Sequence, residues 1–337
     1  MIKVGVLGAG SWGTALSLLL HHNGNEVSIW SFDENEVKMI QEKREQLDKL
    51  PGIKIPEEIQ VTHELKEAIS GKDFIVMATP STVVRSTAKS MSPYVKPGQI
   101  IVDVAKGIEE DTLMTLSEQI QEEIPQSIVA VLSGPSHAEE VGKRLPTTCV
   151  IGAKSKETAL FLQKAFNSSV FRVYISPDIL GIEIGGALKN VIALAAGIAD
   201  GLGFGDNTKA ALITRGINEI TRLGLKMGGY PETFAGLSGI GDLIVTCASL
   251  HSRNRRAGVL IGQGMTPKAA MAEVQMVVEG VYCAKAAAAL AKKYDVYMPI
   301  VEEVNEILFN NKNPEKAVRD LMERDVRDEH KDLQWVK

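Results

Sequence analysis

Lys189 is the one charged residue in an apolar stretch that runs from Ile184 to Ala199. A lysine amine that is kept from water, or held beside another cation, has a lowered pKa and can exchange protons near neutral pH. The same pattern also fits a lysine whose stem lies along a surface while its ammonium stays in water. Other reactive groups are therefore needed to decide between the two interpretations.

Two further clusters in the second half of the chain suggest a substrate. The segment GLSGIGDLIVT places Asp242 and Thr246 one helical turn apart, on one face. The segment HSRNRR concentrates arginines, which suit phosphate groups, in a chain of net charge −5. A capped helix or a solvated face fits each cluster as well. Together with Lys189 they indicate a phosphorylated alcohol or ketone.

A glycine motif near the N-terminus predicts a dinucleotide site. Gly8, Gly10 and Gly13 form G-x-G-x-x-G directly after a predicted strand, and Ser11 and Trp12 open a predicted helix. The first glycine makes a tight turn, the second lets a pyrophosphate approach the backbone, and the third lets helix pack on strand. The free N–H groups of the helix would bind the phosphates. A glycine turn without a ligand is the alternative.

The segment after the second predicted strand bears on the choice of cofactor. Asp33 stands about 20 residues beyond Gly13, where a carboxylate binds the ribose 2′-hydroxyl of NAD. Residues 31–37 contain no cation to neutralise a 2′-phosphate, which predicts a preference for NAD(H). The acids in this segment also fit the start of the next helix.

Polar clusters end three later predicted strands, at residues 78–81, 105–107 and 133–137. Ligands of open parallel sheets lie at the carboxyl ends of the strands. This places Lys106 and Ser136 beside the nicotinamide end of a bound cofactor. An ordinary loop lysine would also explain Lys106.

The elements that must position these residues divide the chain in two. Apolar runs at residues 2–8, 26–30, 73–80, 99–107 and 127–135 alternate with helical patterns, as in a parallel sheet buried on both faces. Runs at 147–153 and 170–176 extend it, and from residue 179 onward only helical periodicity follows. The prediction is an α/β fold: a Rossmann-type, doubly wound, mostly parallel sheet over residues 1–178, then an all-α domain over residues 179–337.

Composition excludes several classes of protein. With 337 residues, 45% of them hydrophobic, the chain has ample material for two folded domains. Its net charge of −5 gives no general attraction to nucleic acid. Lys189 and Asp200 interrupt the best candidate for a membrane span. Three widely spaced cysteines and an N-terminus that starts directly with a strand favour a cytoplasmic protein without a metal site.

Seven motifs follow one another along the chain: GAGSWGTA, VAKGIE, LSGPSHAEEV, ALKNVIALAAGIADGLGFGDNTKAALITRG, LSGIGDLIVTC, SRNRR and MVVEGV. In this order and spacing they resemble the bacterial type of NAD(P)-dependent glycerol-3-phosphate dehydrogenase. The resemblance extends from residue 2 to about residue 310. It implies reversible hydride transfer between NAD(P)H and dihydroxyacetone phosphate, giving sn-glycerol 3-phosphate for phospholipid synthesis.

The resemblance also implies roles for individual residues. Lys189 would be the proton acceptor in oxidation and the donor in reduction, with Lys106 and Asp242 also catalytic. Substrate contacts would come from Lys106, Gly134, Ser136, Lys189, Asp242, Thr246, Ser252, Arg253 and Asn254. Cofactor contacts would come from Gly8, Gly10, Ser11, Trp12, Gly13, Phe32, Asp33, Lys106, Ala138, Arg253, Val277 and Glu279. At Ser31 and Phe32 the sequence departs from bacterial relatives, which often carry His or Arg, and this again favours NAD(H).

Two other functions fit parts of the pattern. The 3-hydroxyacid dehydrogenases also join a Rossmann domain to a helical one, but their lysine sits in G-x-x-x-K-x-x-x-N, whereas residue 193 here is alanine. A protein that binds NAD without turnover would need the glycine motif but not Lys189, Asp242 and Arg253 together. The expected partner is a small molecule, and a homodimer is left open.

Overall fold

The computed structural model describes residues 1–326 and 328–329, so the last eight residues of the predicted second domain lie outside the described part of the chain. Its strands are β1 (Lys3–Leu7), β2 (Glu26–Trp30), β3 (Glu45–Gln46), β4 (Leu50–Lys54), β5 (Gln60–Thr62), β6 (Phe74–Met77), β7 (Ile100–Asp103), β8 (Ile128–Ser133), β9 (Thr147–Ala153) and β10 (Phe171–Ser176).

Helices accompany these strands and then continue without them. Those of the first half are α1 (Ser11–His22), α2 (Glu34–Lys43), α3 (Leu65–Ile69), α4 (Val84–Met91), α5 (Leu116–Glu123), α6 (Ala138–Gly142) and α7 (Lys156–Phe166). Those of the second half are α8 (Ile179–Gly201), α9 (Asp206–Met227), α10 (Pro231–Phe234), α11 (Asp242–Ala248), α12 (Arg253–Gly262), α13 (Pro267–Val274), α14 (Glu279–Lys293), α15 (Pro299–Phe309) and α16 (Pro314–Met322).

The main sheet has eight strands in the order β10-β9-β8-β7-β6-β1-β2-β5. Neighbouring strands are parallel except β8 and β9, which pair antiparallel. The predicted Rossmann-type, mostly parallel sheet is therefore confirmed, and no strand follows Ser176 in the part of the chain that the structure describes. Because β2 and β6 flank β1 on opposite sides, the crevice for a ligand lies at the carboxyl ends of β1 and β6.

Strands β3, β4 and β5 were not predicted, and neither was the antiparallel direction of β9. β3 and β4 form a separate two-stranded hairpin, and β5 is a three-residue edge strand. These segments are too short and too polar to show a period of two. The antiparallel β9 escaped prediction because a continuous apolar run buried on both faces has no feature that depends on strand direction.

Helix α8 is the centre of the helical half. Nearly all of its side chains between Ile182 and Ala199 are buried, and it packs against α9, α11, α12 and α14. It is long and apolar enough to cross a membrane, but 83% of its most apolar window is buried inside the protein, as in the core helix of a folded domain.

Glycines allow α8 and α12 to touch through their backbones. A Cβ atom on Gly197 would lie 2.1 Å from the carbonyl oxygen of Arg255, and one on Gly258 would lie 2.2 Å from that of Leu194. The glycine and alanine content of this half predicted close helix packing, and the structure shows it at this crossing.

Candidate active site

Lys189 lies in a buried cluster with a carboxylate and a second lysine. It sits in the middle of α8 with its side chain 7% exposed, and Nζ donates hydrogen bonds to Asp242 Oδ1 and, at 2.8 Å, to Thr246 Oγ1. The other oxygen of Asp242 accepts a hydrogen bond from Lys106 Nζ at 2.7 Å. Each oxygen of one buried carboxylate therefore holds one lysine.

Close approach of three elements builds this cluster. Asp242 and Thr246 occupy the first turn of α11, where the Thr246 hydroxyl also donates to the carbonyl of Asp242. A Cβ atom on Gly185 would lie 2.6 Å from the carbonyl oxygen of Ser238, in the turn that leads into α11. One on Gly186 would lie 3.1 Å from Oγ of Ser133, at the end of β8, and in ordinary contact, at 3.5 Å, with Cγ of Lys106. The two glycines therefore let α8 approach both α11 and the end of β8, beside Lys106.

The balance of charge tunes the lysine. Burial lowers the pKa of Lys189 to about 7, Asp242 opposes this shift, and Lys106 adds to it. Burial would by itself raise the pKa of Asp242, but Lys106 and Lys189 bring that pKa below its ordinary value. An amine with a pKa near 7 can give or accept a proton at neutral pH.

The loop after β8 closes one side of the cluster. Lys106 Nζ also donates to the carbonyl oxygen of Gly134 at 3.2 Å, and Ser136 Oγ donates to the same oxygen at 3.0 Å. Gly134 has φ of +143°, which side chains other than hydrogen rarely allow. Ala138 begins α6 directly after this loop. Gly134 and Ser136, two of the predicted site residues, therefore lie beside Lys106.

The glycine motif has the geometry of a nucleotide-binding turn. Gly8 has φ of +118°, and a Cβ atom on Gly13 would lie 1.9 Å from the carbonyl oxygen of Gly8. A Cβ atom on Gly10 would meet nothing within 4 Å. Gly10 is the N-cap of α1 and no side chain caps this end, so the first N–H groups of the helix face an open space. These features fit a bound pyrophosphate.

Asp33 has a structural role in this chain. Its carboxylate accepts a hydrogen bond from the N–H of Asn35 at 2.9 Å and caps α2. The structure therefore confirms that Asp33 starts the next helix. A contact between Asp33 and the ribose stays a prediction. Phe32, next to it, is 75% exposed.

The arginine cluster separates into two parts. Arg255 pairs with Asp200, which Lys209 also contacts, so Arg255 is not free for a phosphate. Arg253, at the start of α12, makes no hydrogen bond or ion pair with the described residues. Ser252 caps this helix by accepting from the N–H of Arg255. Of these arginines, Arg253 and the exposed Arg256 are therefore the candidates for binding a phosphate.

Glu279 connects the helical half to the sheet, and Asn254 connects helices within the helical half. The side chain of Asn254 donates to Asn190, the residue after Lys189, and accepts from the N–H of Gly280. Glu279 begins α14, two residues after the half-buried Val277, and its carboxylate accepts from the N–H and hydroxyl of Ser81, in the loop after β6. Burial raises the pKa of Glu279, and the charge of Arg253 opposes this shift. Glu279 therefore joins the two halves near the crevice.

Buried polar residues that the sequence interpretation did not select surround this site. Asp103 Oδ2, Ser133 Oγ and His137 Nε2 are buried without a hydrogen-bond partner among the described residues. Asp103 and Ser133 line a cavity beside Lys106 that is about large enough for one water molecule. Asp103 and Ser133 are the last residues of β7 and β8. This position was the feature of the sequence from which they could have been predicted as site residues.

Known proteins match the whole chain. The model of the NAD-dependent glycerol-3-phosphate dehydrogenase N-terminus matches residues 3–159, and that of the C-terminus matches residues 178–319. A glycerol-3-phosphate dehydrogenase [NAD(P)+] of Agathobacter rectalis is 62% identical over 335 residues, which is 99% of this chain and 100% of the relative. That of Bacillus subtilis is 52% identical, over 99% of this chain and 97% of the relative.

Solved structures give the same result. The crystal structure of glycerol-3-phosphate dehydrogenase from Coxiella burnetii superposes with a TM-score of 0.93 at 37% identity, covering 96% of this chain and 99% of that one. The corresponding yeast structure has a TM-score of 0.82 at 26% identity, covering 96% and 99%. Both confirm an α/β nucleotide-binding half followed by a helical half. The chain therefore belongs to the NAD-dependent glycerol-3-phosphate dehydrogenase family.

Proposed function

We propose that this chain interconverts dihydroxyacetone phosphate and sn-glycerol 3-phosphate with NAD(P)(H). The observation that carries the proposal is the buried amine of Lys189, whose pKa of about 7 suits reversible proton transfer. A nicotinamide cofactor held at Gly8, Gly10 and Gly13 would supply the hydride for the C2 carbonyl, or accept it in the reverse direction. The chain itself must bind both molecules and handle the proton.

Lys189 performs the proton transfer. In reduction its ammonium protonates the oxygen that becomes the C2 hydroxyl, and in oxidation its neutral amine takes that proton back. Asp242 and Thr246 hold Nζ in place. The Lys106 ammonium, bound to the same carboxylate, stabilises negative charge on the reacting oxygen.

The remaining predicted residues bind the two ligands. Arg253 takes the substrate phosphate because its guanidinium makes no hydrogen bond or ion pair with the described side chains and interacts only with the more distant charge of Glu279. Ser252 and Asn254 lie beside it, and Gly134 and Ser136 form the opposite wall. The pyrophosphate binds at Gly8, Gly10, Ser11, Trp12 and Gly13. The remaining cofactor contacts come from Phe32, Asp33, Lys106, Ala138, Val277 and Glu279.

Further parts of the proposal concern the setting of the enzyme. The nucleotide-binding domain ends near residue 178, and NAD(H) is favoured over NADP(H) because residues 31–37 contain no cation. The protein acts in the cytoplasm, and its product feeds glycerophospholipid synthesis.

A spectrophotometric assay of NADH oxidation tests the activity. Dihydroxyacetone phosphate should support turnover, while a 3-oxoacid should not, which separates this family from the 3-hydroxyacid dehydrogenases. A protein that only binds the cofactor would turn over neither substrate. Absence of turnover with dihydroxyacetone phosphate would contradict the proposal.

A further inference from the structure

Glu36 lies at the carboxyl end of the second strand, beside the glycine motif. This is the region of the fold that receives the adenosine ribose of a dinucleotide. Glu36 is in the first turn of α2, and its side chain is only 9% exposed. Asp33, the acid that the sequence suggested for this position, is engaged in capping the same helix.

Hydrogen bonds connect Glu36 to both elements that flank the ribose. The hydroxyl of Ser31, directly after β2, donates to Glu36 Oε2. The amide of Gln46, which is fully buried, donates to Glu36 Oε1 at 2.8 Å and to the carbonyl of Ala9, inside the glycine motif, at 2.7 Å. The carboxylate is therefore fixed between the end of β2 and the phosphate-binding turn.

Lys49 places a cation next to the Glu36 carboxylate, although residues 31–37 themselves contain none. It lies in the turn between β3 and β4, and its Nζ contacts Glu36 Oε1. The lysine side chain is 41% exposed, whereas that of Glu36 is almost buried. The ammonium can therefore turn away into solvent on its flexible stem, while the carboxylate stays where it is.

We propose that Glu36 and Lys49 together set the choice between NAD(H) and NADP(H). With Lys49 on one of its oxygens, Glu36 accepts a hydrogen bond from the ribose 2′-hydroxyl of NAD(H). When NADP(H) binds, Lys49 turns from Glu36 to the 2′-phosphate. Both cofactors are accepted, and NAD(H) binds more tightly because a 2′-phosphate must lie beside the Glu36 carboxylate.

This inference rests on the proposed use of a nicotinamide cofactor and not on the identity of the substrate. The test is therefore direct binding, without substrate, of NADH and NADPH to the full chain, followed by nicotinamide fluorescence. The wild-type protein should bind NADH more tightly. Glu36→Gln keeps the size and an acceptor for Ser31 but removes the charge, and should reduce that preference by about 10-fold, as expected for a charged hydrogen bond.

Lys49→Met should weaken NADPH binding by about 10-fold and leave NADH binding within about 2-fold, since one charged contact is lost to one cofactor only. Lys54→Met is the matched control: Lys54 lies on the same hairpin and pairs with Glu45, with its side chain 75% exposed. This variant should change neither dissociation constant. Thermal unfolding of each variant verifies that it is folded.

The proposal requires both effects. A preference that Glu36→Gln leaves unchanged overturns it, and so does a Lys49→Met variant that weakens both cofactors equally or neither. Failure of the wild-type protein to reduce dihydroxyacetone phosphate would defeat the proposed function instead, because the two dissociation constants are measured without that substrate.

Discussion

At the scale of single residues, Lys189 shows how a buried charge can be kept adjustable. Two lysines share one carboxylate, so the cluster has a net charge of +1 when both ammonium groups are protonated. Desolvation and the neighbouring ammonium favour the neutral amine of Lys189, and Asp242 favours the charged one. The pKa near 7 is the result of this opposition.

Replacing Lys189 by Ala should lower turnover of dihydroxyacetone phosphate by about 10²-fold or more, because it removes the group that transfers the proton in the proposed reaction. Affinity for NADH, measured by fluorescence, should be largely kept. Lys209→Ala is the control, since Lys209 pairs with Asp200 in the helical half and should not affect the reaction. Near-normal turnover of the Lys189→Ala variant would exclude this residue as proton donor.

The direction of the reaction should determine its pH dependence. Reduction needs the ammonium of Lys189 and should slow as pH rises through about 7, the pKa of this lysine, while oxidation needs the neutral amine and should speed up. Asp242→Asn removes the charge that raises this pKa, so both midpoints should move to lower pH. Profiles of kcat/KM against pH measure them, and unchanged midpoints would mean that another group titrates.

Sequence patterns predicted candidate reactive residues but not all of the partners that the structure gives them. Lys189 was detected because it interrupts an apolar helix, and Asp242 because it shares a helical face with Thr246. The pairing of Arg255 with Asp200 was not predicted, since it joins α12 to the far end of α8. The contact of Lys49 with Glu36 also depends on a hairpin that the sequence did not indicate.

At the scale of elements, the crossing of α8 and α12 is held by contacts between backbones. Gly197→Ala would place a methyl group 2.1 Å from the carbonyl oxygen of Arg255. We expect it to lower the free energy of unfolding by about 1–3 kcal/mol, the usual cost of overpacking. Denaturant unfolding measures this.

Gly205→Ala provides the comparison for that variant. A Cβ atom on Gly205 would meet nothing within 4 Å, and its φ of −84° is open to any residue. Because Gly205 is the N-cap of α9, where alanine is less favourable, this substitution should cost no more than about 1 kcal/mol. Equal effects of the two substitutions would show that loss of glycine itself, and not the close crossing, is responsible.

At the scale of the whole molecule, buried acids make stability depend on pH. Burial, together with Glu183, raises the pKa of Asp103 well above its ordinary value. The folded protein therefore favours the protonated acid, and the stability that this form provides is lost as pH rises from the unfolded pKa, about 4, towards the folded one.

Asp103→Asn removes this titration while keeping the acceptor for the N–H of Ala105. The variant should gain stability relative to wild type progressively as pH rises above about 4, the unfolded pKa of an aspartate, and the gain should be absent at lower pH. Urea unfolding at a series of pH values measures the difference. A difference that does not change with pH would exclude Asp103 as its source.

The predictability of the fold follows from the kind of information each feature needs. Burial on both faces and the glycine motif are local patterns, so the mostly parallel sheet, the glycine turn after β1 and the helical half were predicted correctly. The direction of β9 depends on contacts between segments far apart in the chain. The short hairpin and the cap at Asp33 depend on single contacts that leave no periodic signal.

The backbone contact between α8 and α12 also bears on how the molecule moves. With no layer of side chains between the two helices, we expect them to move together and to carry Lys189, Asn190 and Asn254 with them. Lys106 and Ser136 belong to the sheet side of the crevice. A change in the width of the crevice during a catalytic cycle would then displace the sheet and its loops relative to Lys189.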